Sequence, residues 1–157
     1  MLKLVPMSES EFAEYESETR THYASDVLKA DGGSPDTAVA RATQAFLKLL
    51  PEGQDTPDHH FFTLLTSEMS AAVGWLWLRE ETSERGRGAF VYDLLVLPQY
   101  RDQGYGRCAL QAAEAWASEL AMQYIDLHVF GHNTGAQRLY AKAGYQATHI
   151  SMTKALS

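Results

Sequence analysis

The stretch "FVYDLLVLPQYRDQGYG", residues 90–106, decides how the rest of the sequence is interpreted. Its apolar first half predicts a buried strand, and its second half turns through two glycines into an amphipathic helix. A strand, a glycine-rich turn and a helix N-terminus form an anion site, because free N–H groups and the helix dipole attract negative charge. Gly104 and Gly106 carry no side chain that would block a ligand, and Arg101 and Arg107 can pair with phosphate.

The rest of the chain supplies further strands and helices around this stretch. Apolar runs and alternation predict strands at 2–6, 59–67, 70–81, 84–98, 124–131 and 145–156. Helical spacing and caps predict helices at 8–33 (with a break near Thr19), 34–53, 104–122 and 133–144. The strand–helix–strand step around the glycines implies a parallel pair, whereas the hairpins are antiparallel. We therefore expect one α/β (α+β) domain, residues 1–157, with a mixed, mostly antiparallel twisted sheet of about six strands and helices on both faces.

Composition narrows the classes of function. The chain has 157 residues, 45% hydrophobic and 21% charged, which is typical of a soluble globular protein. No apolar run reaches the ~20 residues of a membrane span, and the N-terminus does not resemble a signal peptide, so we expect a cytoplasmic protein with no membrane partner. The chain has a single cysteine, Cys108, which fits that compartment. Cys108 lies on the inward face of the helix predicted over 104–122, so we expect it to be a core residue. The net charge of −7 argues against a nucleic-acid partner.

The acidic excess lies in the first part of the chain. Residues 1–58 carry 11 acids and 5 bases, whereas residues 59–157 carry 9 acids and 8 bases. Such a bias could present acids to a cationic substrate, or it could simply form a solvated helix face.

Three interpretations of the glycine pair compete. The run Gly104-x-Gly106-x-x-Ala109 satisfies a dinucleotide-binding fingerprint, but only about 50 residues follow it, too few for the remaining strands of such a domain. The acid that this fold needs at the end of the next strand is also missing, because that strand ends in "HVF". A purely structural turn is the second interpretation, and an acyl-donor site is the third.

The third interpretation rests on two stretches in order. "LLVLPQYRDQGYG" (94–106) resembles the signature L-x-V-x-P-x-x-R-x-x-G-x-G of the Gcn5-related N-acetyltransferase (GNAT) family, and "LHVFGHNTGAQRLYAKAGY" (127–145) resembles its second signature. The resemblance implies the acyl-CoA N-acyltransferase fold and acetyl-CoA as cosubstrate, with no metal. It also implies a bulge that splays the strand before the glycines from the next one. The implied cofactor-binding residues are Leu94, Leu95, Val96, Arg101, Asp102, Gln103, Gly104, Tyr105, Gly106, Arg107 and Asn133.

The resemblance also suggests which groups carry the chemistry. Tyr140 stands at the family's usual position for the general acid that protonates the departing thiolate, although it could also be a packing residue beside Leu139. The N–H of Val96 is the candidate to polarise the thioester carbonyl. Asn133 can contact the cofactor, cap the last helix, or do both.

The base that takes the amine proton is less determined. Some relatives carry Glu where this chain has His128, and a neutral histidine can accept a proton. Asp93 and an ordered water chain are the alternatives. No spacing of His, Cys and Asp matches a metal site, and His132 and the pair His59-His60 read as surface or loop residues.

The resemblance implies that the acceptor is an amine of a small molecule or peptide. A polyamine, an amino acid, an aminoglycoside and a protein N-terminus all remain open, as does a homodimer. A non-catalytic acyl-CoA-binding module on the same fold is the alternative function. The residues that could line the acceptor pocket are Tyr23, Asp26, Trp75, Trp77 and Tyr92.

Overall fold

The protein folds around a five-stranded mixed sheet, seen in a computed structural model that describes residues 1–68 and 70–157. The strands are β1 Leu2–Pro6, β2 His59–Thr66, β3 Ala72–Ser83, β4 Gly86–Val96 and β5 Ile125–Leu127. The helices are α1 Glu9–Asp31, α2 Pro35–Leu49, α3 Tyr105–Glu119 and α4 Thr134–Lys142. Strands pair in the order β1-β2-β3-β4-β5, antiparallel except for β4 with β5. The predicted class, a mostly antiparallel mixed sheet, is confirmed.

Alternating strand residues build a core on each face of the sheet. Phe62, Leu64, Leu76, Leu78 and Val91 pack with Ala109 and Ala113 of α3 on one face. Phe61 and Trp77 pack with α1 and α2 on the other face, against Phe12, Tyr15 and Phe46. Because successive side chains of a strand point to opposite faces, the apolar runs of β2 and β3 bury both of their faces.

Helix α1 is continuous from Glu9 to Asp31, so the predicted break near Thr19 is wrong. A capping box starts the helix, since the Ser8 hydroxyl accepts from the Glu11 N–H and the Glu11 carboxylate accepts from the Ser8 N–H. The apolar stripe shifts along the helix because its two halves have different partners: the first half packs on the sheet, whereas Ala24 packs against α2. No break is needed to bury both halves.

A bulge in β4 opens the sheet at the position the resemblance implied. Trp77 pairs with Asp93 but Leu78 pairs with Val91, which leaves Tyr92 as the extra residue on β4. The parallel pairing with β5 covers only Ala89 to Val91 of β4. The second half of β4 is therefore paired with β3 on one edge and parted from β5 on the other.

Gly74 of β3 permits the close approach of β3 and β4 in this half. A Cβ atom at Gly74 would lie 2.0 Å from the Leu95 carbonyl oxygen, far inside van der Waals contact. Only glycine fits there.

The predicted closing strand over 145–156 is wrong, and the sheet has five strands rather than about six. The structure assigns no strand to these described residues. The strand predicted over 124–131, whose edge they would join, is only Ile125–Leu127. A three-residue strand offers little edge to pair with, and Ile150, Met152 and Leu156 are 75%, 92% and 89% exposed. A cavity of about 1050 Å³ lies along this edge, between β5, the end of α3 and residues 143–149.

Within the described part of the chain, no helix is both long enough and apolar enough to cross a bilayer.

Candidate active site

The loop between β4 and α3 exposes the N-terminus of α3. After the 3₁₀ turn Pro98–Tyr100, the backbone passes through Asp102 at φ +59° and Gly104 at φ +86° before the helix begins at Tyr105. Gly104 is the N-cap, and among the described residues no side chain caps this helix. The first N–H groups of α3 therefore remain available to an anion.

A groove of about 850 Å³ runs from this loop along the open edge of β4. The Leu97 N–H donates to the Val73 carbonyl at 2.8 Å, so by alternation the neighbouring Val96 N–H points to the opposite, open edge. The Arg101 Nε donates to the Val96 carbonyl oxygen at 3.0 Å and ties the loop to the strand. Lys29 of α1 also lines the groove and adds a cation to the two arginines.

Nearly all the predicted cofactor residues line this groove. They are Leu94, Leu95, Val96, Arg101, Asp102, Gly104, Tyr105, Gly106, Arg107 and Asn133. Gln103 lies outside the lining, and its side-chain amide donates to the Gln99 carbonyl at 3.2 Å. The Asn133 side chain accepts from the Ala136 N–H at 3.2 Å, so it caps α4 as one of its two predicted roles required.

A second cavity, of about 380 Å³, lies between α1, α2, β4 and the segment after β5. Its walls are aromatic: Trp77 stacks on Tyr92 with ring centroids 4.8 Å apart, and Tyr23 meets Phe46 and Phe130 edge-on at 6.0 and 6.4 Å. Its acids are Asp26, Asp31 and Asp93. Of the five residues predicted to line an acceptor pocket, Trp75 is absent from the lining and packs against the Tyr15 ring instead, at 5.6 Å.

The two cavities meet at residues that line both of them: His22, Asp26, Leu94, Asn133 and Tyr140. Burial, followed by the nearby charge of Asp93, raises the pKa of Tyr140 above its usual 10. The phenol is therefore fully protonated at neutral pH and can act as a proton donor at the junction.

Asp93 lies at the bulge, one residue before Leu94, and lines the second cavity. The hydroxyl of Tyr15, whose side chain is 1% exposed, donates to Asp93 Oδ2 at 2.8 Å. Asp93 keeps some exposure to the cavity but is enclosed on its other sides. Burial raises the pKa of Asp93 from 3.8 to about 6, against the lowering effect of the Tyr15 hydrogen bond. A carboxylate with this pKa can both accept and release a proton near neutrality.

The histidines fall into different surroundings. His128 follows β5, lines the second cavity and meets Phe130 edge-on at 5.3 Å. His132 lies in the loop before α4, and its Nε2 is 2.9 Å from Asp26 Oδ1 of α1.

The expectation that His59 and His60 are surface or loop residues is wrong. Both belong to β2 and are half-buried, because the strand carries their rings over the sheet. Trp77 Nε1 donates to His59 Nδ1 at 2.9 Å, and His60 Nε2 lies 2.8 Å from Glu80 Oε2. Cys108 is partly buried and packs against the core on α3. Within residues 1–68 and 70–157, no group of three or more His, Cys, Asp or Glu could hold a metal ion.

On the face of α1 that meets the site, sequence reasoning identified Asp26 but missed Tyr15, His22 and Lys29. Tyr15, His22, Asp26 and Lys29 are spaced by seven, four and three residues, which places them on the same side of a helix. That side faces the site, so its polar members reach Asp93 and both cavities. The spacing was a visible signal, but the side chains alternate with many other acids on the helix.

The family profile described as "Acetyltransferase (GNAT) family" matches residues 12–145. The chain belongs to the GNAT acetyltransferase family. The Bacillus subtilis protein named "Uncharacterized N-acetyltransferase YycN" is 38% identical over 155 residues, 99% of each chain. The crystal structure of YycN superposes with a TM-score of 0.93 at 37% identity and covers 100% of this chain and 99% of its own.

Two further proteins extend the comparison. "Uncharacterized N-acetyltransferase YdgE" of Bacillus subtilis is 31% identical over 153 residues, which is 98% of this chain and 97% of its own. The structure of AAC(6')-Iy in complex with the bisubstrate analog CoA-S-monomethyl-acetylneamine has a TM-score of 0.60 at 14% identity and covers 100% of this chain and 99% of that one. The second likeness shows a shared fold.

Proposed function

We propose that this GNAT protein is an acetyl-CoA-dependent N-acetyltransferase that moves an acetyl group directly to an amine acceptor within a ternary complex. The observation that carries the proposal is that the groove and the aromatic cavity meet at Leu94 and Tyr140. Two substrates that enter from opposite sides of the sheet opening would bring their reacting ends together at that junction. In this proposal residues 1–157 form one domain.

The groove suits the acyl donor in three ways. The uncapped N-terminus of α3 and the cations Lys29, Arg101 and Arg107 would hold the phosphates of CoA. The open edge of β4 offers backbone groups to the amides of the pantetheine arm, as a sheet edge does to a peptide. Asn133 would contact the same arm in addition to capping α4.

The residues at the junction supply what the transfer needs. The Val96 N–H, directed to the open edge, would polarise the thioester carbonyl, as an oxyanion-hole donor does. Tyr140 would protonate the sulfur of the departing thiolate. His128 and Asp93 both line the acceptor cavity and are the candidates to take the proton of the amine.

The acceptor cavity favours a cationic amine of modest size. Its volume of about 380 Å³ is near the lower end of small-ligand sites. Asp31 is paired with Arg41 at 3.2 Å, so Asp26, Asp93 and the aromatic rings are the groups that attract a cation. A peptide would leave most of its length outside. No nucleic acid or membrane enters this proposal.

Thiol release from acetyl-CoA tests the function. A thiol reagent would follow the reaction with a panel of amines: a diamine, an amino acid, an aminoglycoside and a peptide N-terminus. We expect release that depends on at least one amine, and acetyl-CoA but not NAD should raise the melting temperature, because a ligand that binds the native state stabilises it. A thermal shift with CoA and no amine-dependent release would indicate a non-catalytic acyl-CoA-binding module.

A further inference from the structure

We propose that Asp93, held by the Tyr15 hydroxyl, is the group that binds the ammonium form of the acceptor and takes its proton before acetyl transfer. This inference rests on the proposed function and names one base for it. It replaces His128, which the sequence favoured on the family's position alone.

Asp93 lies close to the place where the acyl donor and the acceptor would meet. The bulge at Tyr92 reverses the alternation of side chains along β4, and the next residue, Asp93, lines the acceptor cavity. The residue after it, Leu94, lies at the junction of the two cavities. Asp93 is therefore one residue away from the strand segment proposed to hold the acyl donor. His128 lies on the far side of the opening, where it lines the acceptor cavity and the separate space beside β5.

The Asp93 carboxylate is held in place by a residue of α1. Tyr15 is almost fully buried and its hydroxyl reaches Asp93 from α1, so one carboxylate oxygen is held in place by a group that cannot move away. The Leu94 N–H also hydrogen-bonds the carboxylate, and the Asp93 side chain lines the acceptor cavity. The Tyr15 ring is fixed in turn by Phe61 and Trp75 at 6.2 and 5.6 Å.

The charged and titratable groups around Asp93 come from every neighbouring element. Tyr15, His22 and Asp26 face it from α1, Tyr140 faces it from α4, and His128 lines the same cavity. Arg41 of α2 also lines this cavity and pairs with Asp31 at 3.2 Å. The pKa of Asp93 is raised to about 6 by burial, and its charge helps to raise the pKa of Tyr140. A base whose pKa is near neutrality and an acid that stays protonated therefore lie near each other at the junction of the two cavities.

The proton balance closes with these two groups. The Asp93 carboxylate takes one proton from R–NH₃⁺, and the resulting R–NH₂ forms a C–N bond to the thioester carbon. As the C–S bond breaks, Tyr140 gives its proton to the sulfur, and the second nitrogen proton of the intermediate restores the Tyr140 phenol. The products are R–NH–acetyl and the CoA thiol, and Asp93 releases the first proton to solvent.

The test compares kcat/KM of the wild type and of Asp93→Asn over pH 5 to 10.5, with a primary amine that the wild type acetylates. The wild type uses the ammonium form, so kcat/KM should be flat between about pH 7 and the amine pKa and should fall below about pH 6. The Asp93→Asn variant has no carboxylate to accept this proton and can use only the neutral amine, so its kcat/KM should rise about tenfold per pH unit. For an amine with a pKa of ~10.4, the ratio of wild-type to Asp93→Asn kcat/KM should therefore fall about tenfold per pH unit between about pH 7 and pH 10.

Controls separate a chemical role from a structural one. Asp93→Asn should keep the CoA affinity and a melting temperature at neutral pH that is no lower than that of the wild type. Tyr15→Phe should keep the plateau but move its acid limb to higher pH, because the carboxylate loses a hydrogen bond that favours its charged form. His128→Gln can lower kcat/KM at every pH because His128 lines the acceptor cavity, but its profile should keep the flat region between about pH 7 and the amine pKa.

The outcomes are distinguishable. A plateau that survives in Asp93→Asn, or one that disappears in His128→Gln instead, would overturn the inference while leaving the transferase intact. If the wild type releases no thiol with any amine, the proposed function itself fails, and with it the role of Asp93.

Discussion

Asp93→Asn should stabilise the folded protein at neutral pH, and the gain should depend on pH in a defined way. The folded-state pKa of Asp93 lies at about 6, against 3.8 for an ordinary aspartate. Because the folded pKa is the higher one, the native state binds more protons between these values, so the wild type loses stability as pH rises through this window. Asparagine occupies nearly the same volume and has no proton to lose.

The magnitude follows from the pKa difference. A shift of roughly 2 units corresponds to about 3 kcal/mol in the free energy of unfolding, at about 1.4 kcal/mol per unit. This is an upper bound, since the carboxylate partly faces the cavity and water screens it. Below about pH 4 the native state of the wild type carries a protonated Asp93, so this destabilising contribution is absent there.

Urea unfolding of both proteins at pH 4 to 8 measures this. The stability of Asp93→Asn minus that of the wild type should rise by about 1 to 3 kcal/mol between about pH 4 and pH 7 and stay level above pH 7. Subtraction removes the titration of groups shared by the two proteins. A difference that stays constant across the range, or that falls as pH rises, would refute the reasoning about the burial of Asp93.

Three further substitutions test separate parts of the site. Tyr140→Phe keeps the ring and should lower turnover by roughly 10²–10⁴ at saturating acetyl-CoA with little change in CoA affinity; unchanged turnover would remove the hydroxyl from the mechanism. Gly104→Val should weaken CoA binding, because a β-branched residue rarely adopts the φ of +86° found at the α3 N-cap. Gly104→Asn should weaken CoA binding less, since asparagine tolerates this conformation better. A Gly104→Val variant that binds CoA as tightly as the wild type would mean that the turn holds no phosphate. Lys29→Ala should weaken CoA binding, and more so at low salt. The control Lys48→Ala, at an exposed position of α2, should not, and equal effects of the two substitutions would mean that Lys29 does not bind the phosphates.

The fold around the glycines could be predicted because its signals are local. An apolar run, a glycine turn and an amphipathic helix each depend on residues a few positions apart, and residues 90–119 form them as expected. The capping roles of Ser8 and Asn133 are equally local.

The closing strand could not be predicted because a strand depends on a partner. Residues 145–156 show some alternation, but the edge they would join is only the three residues of β5. Alternation describes how side chains could be placed, and it contains no information about whether a neighbouring edge is available.

Four of the five residues expected around the acceptor line its cavity, but the pairing of Tyr15 with Asp93 could not be predicted. Tyr15 and Asp93 are 78 positions apart, and nothing in either segment indicates that a hydroxyl of α1 meets a carboxylate on β4. The bulge that directs Asp93 into the cavity is invisible in "VYDLLV", since an extra residue on one strand is defined only against its partner strand. The chemistry of the base therefore needed the structure.

A single-turnover experiment tests the central claim most directly. Enzyme in excess over acetyl-CoA labelled in the acetyl group is mixed with an amine that supports thiol release, and the quenched samples are divided into protein, amine and CoA fractions. Direct transfer predicts that label appears in the amine one for one with released thiol and never accumulates on the protein. Label that reaches Cys108 or another side chain before the amine, or thiol release without acetylated amine, would contradict direct transfer at the junction of the two cavities.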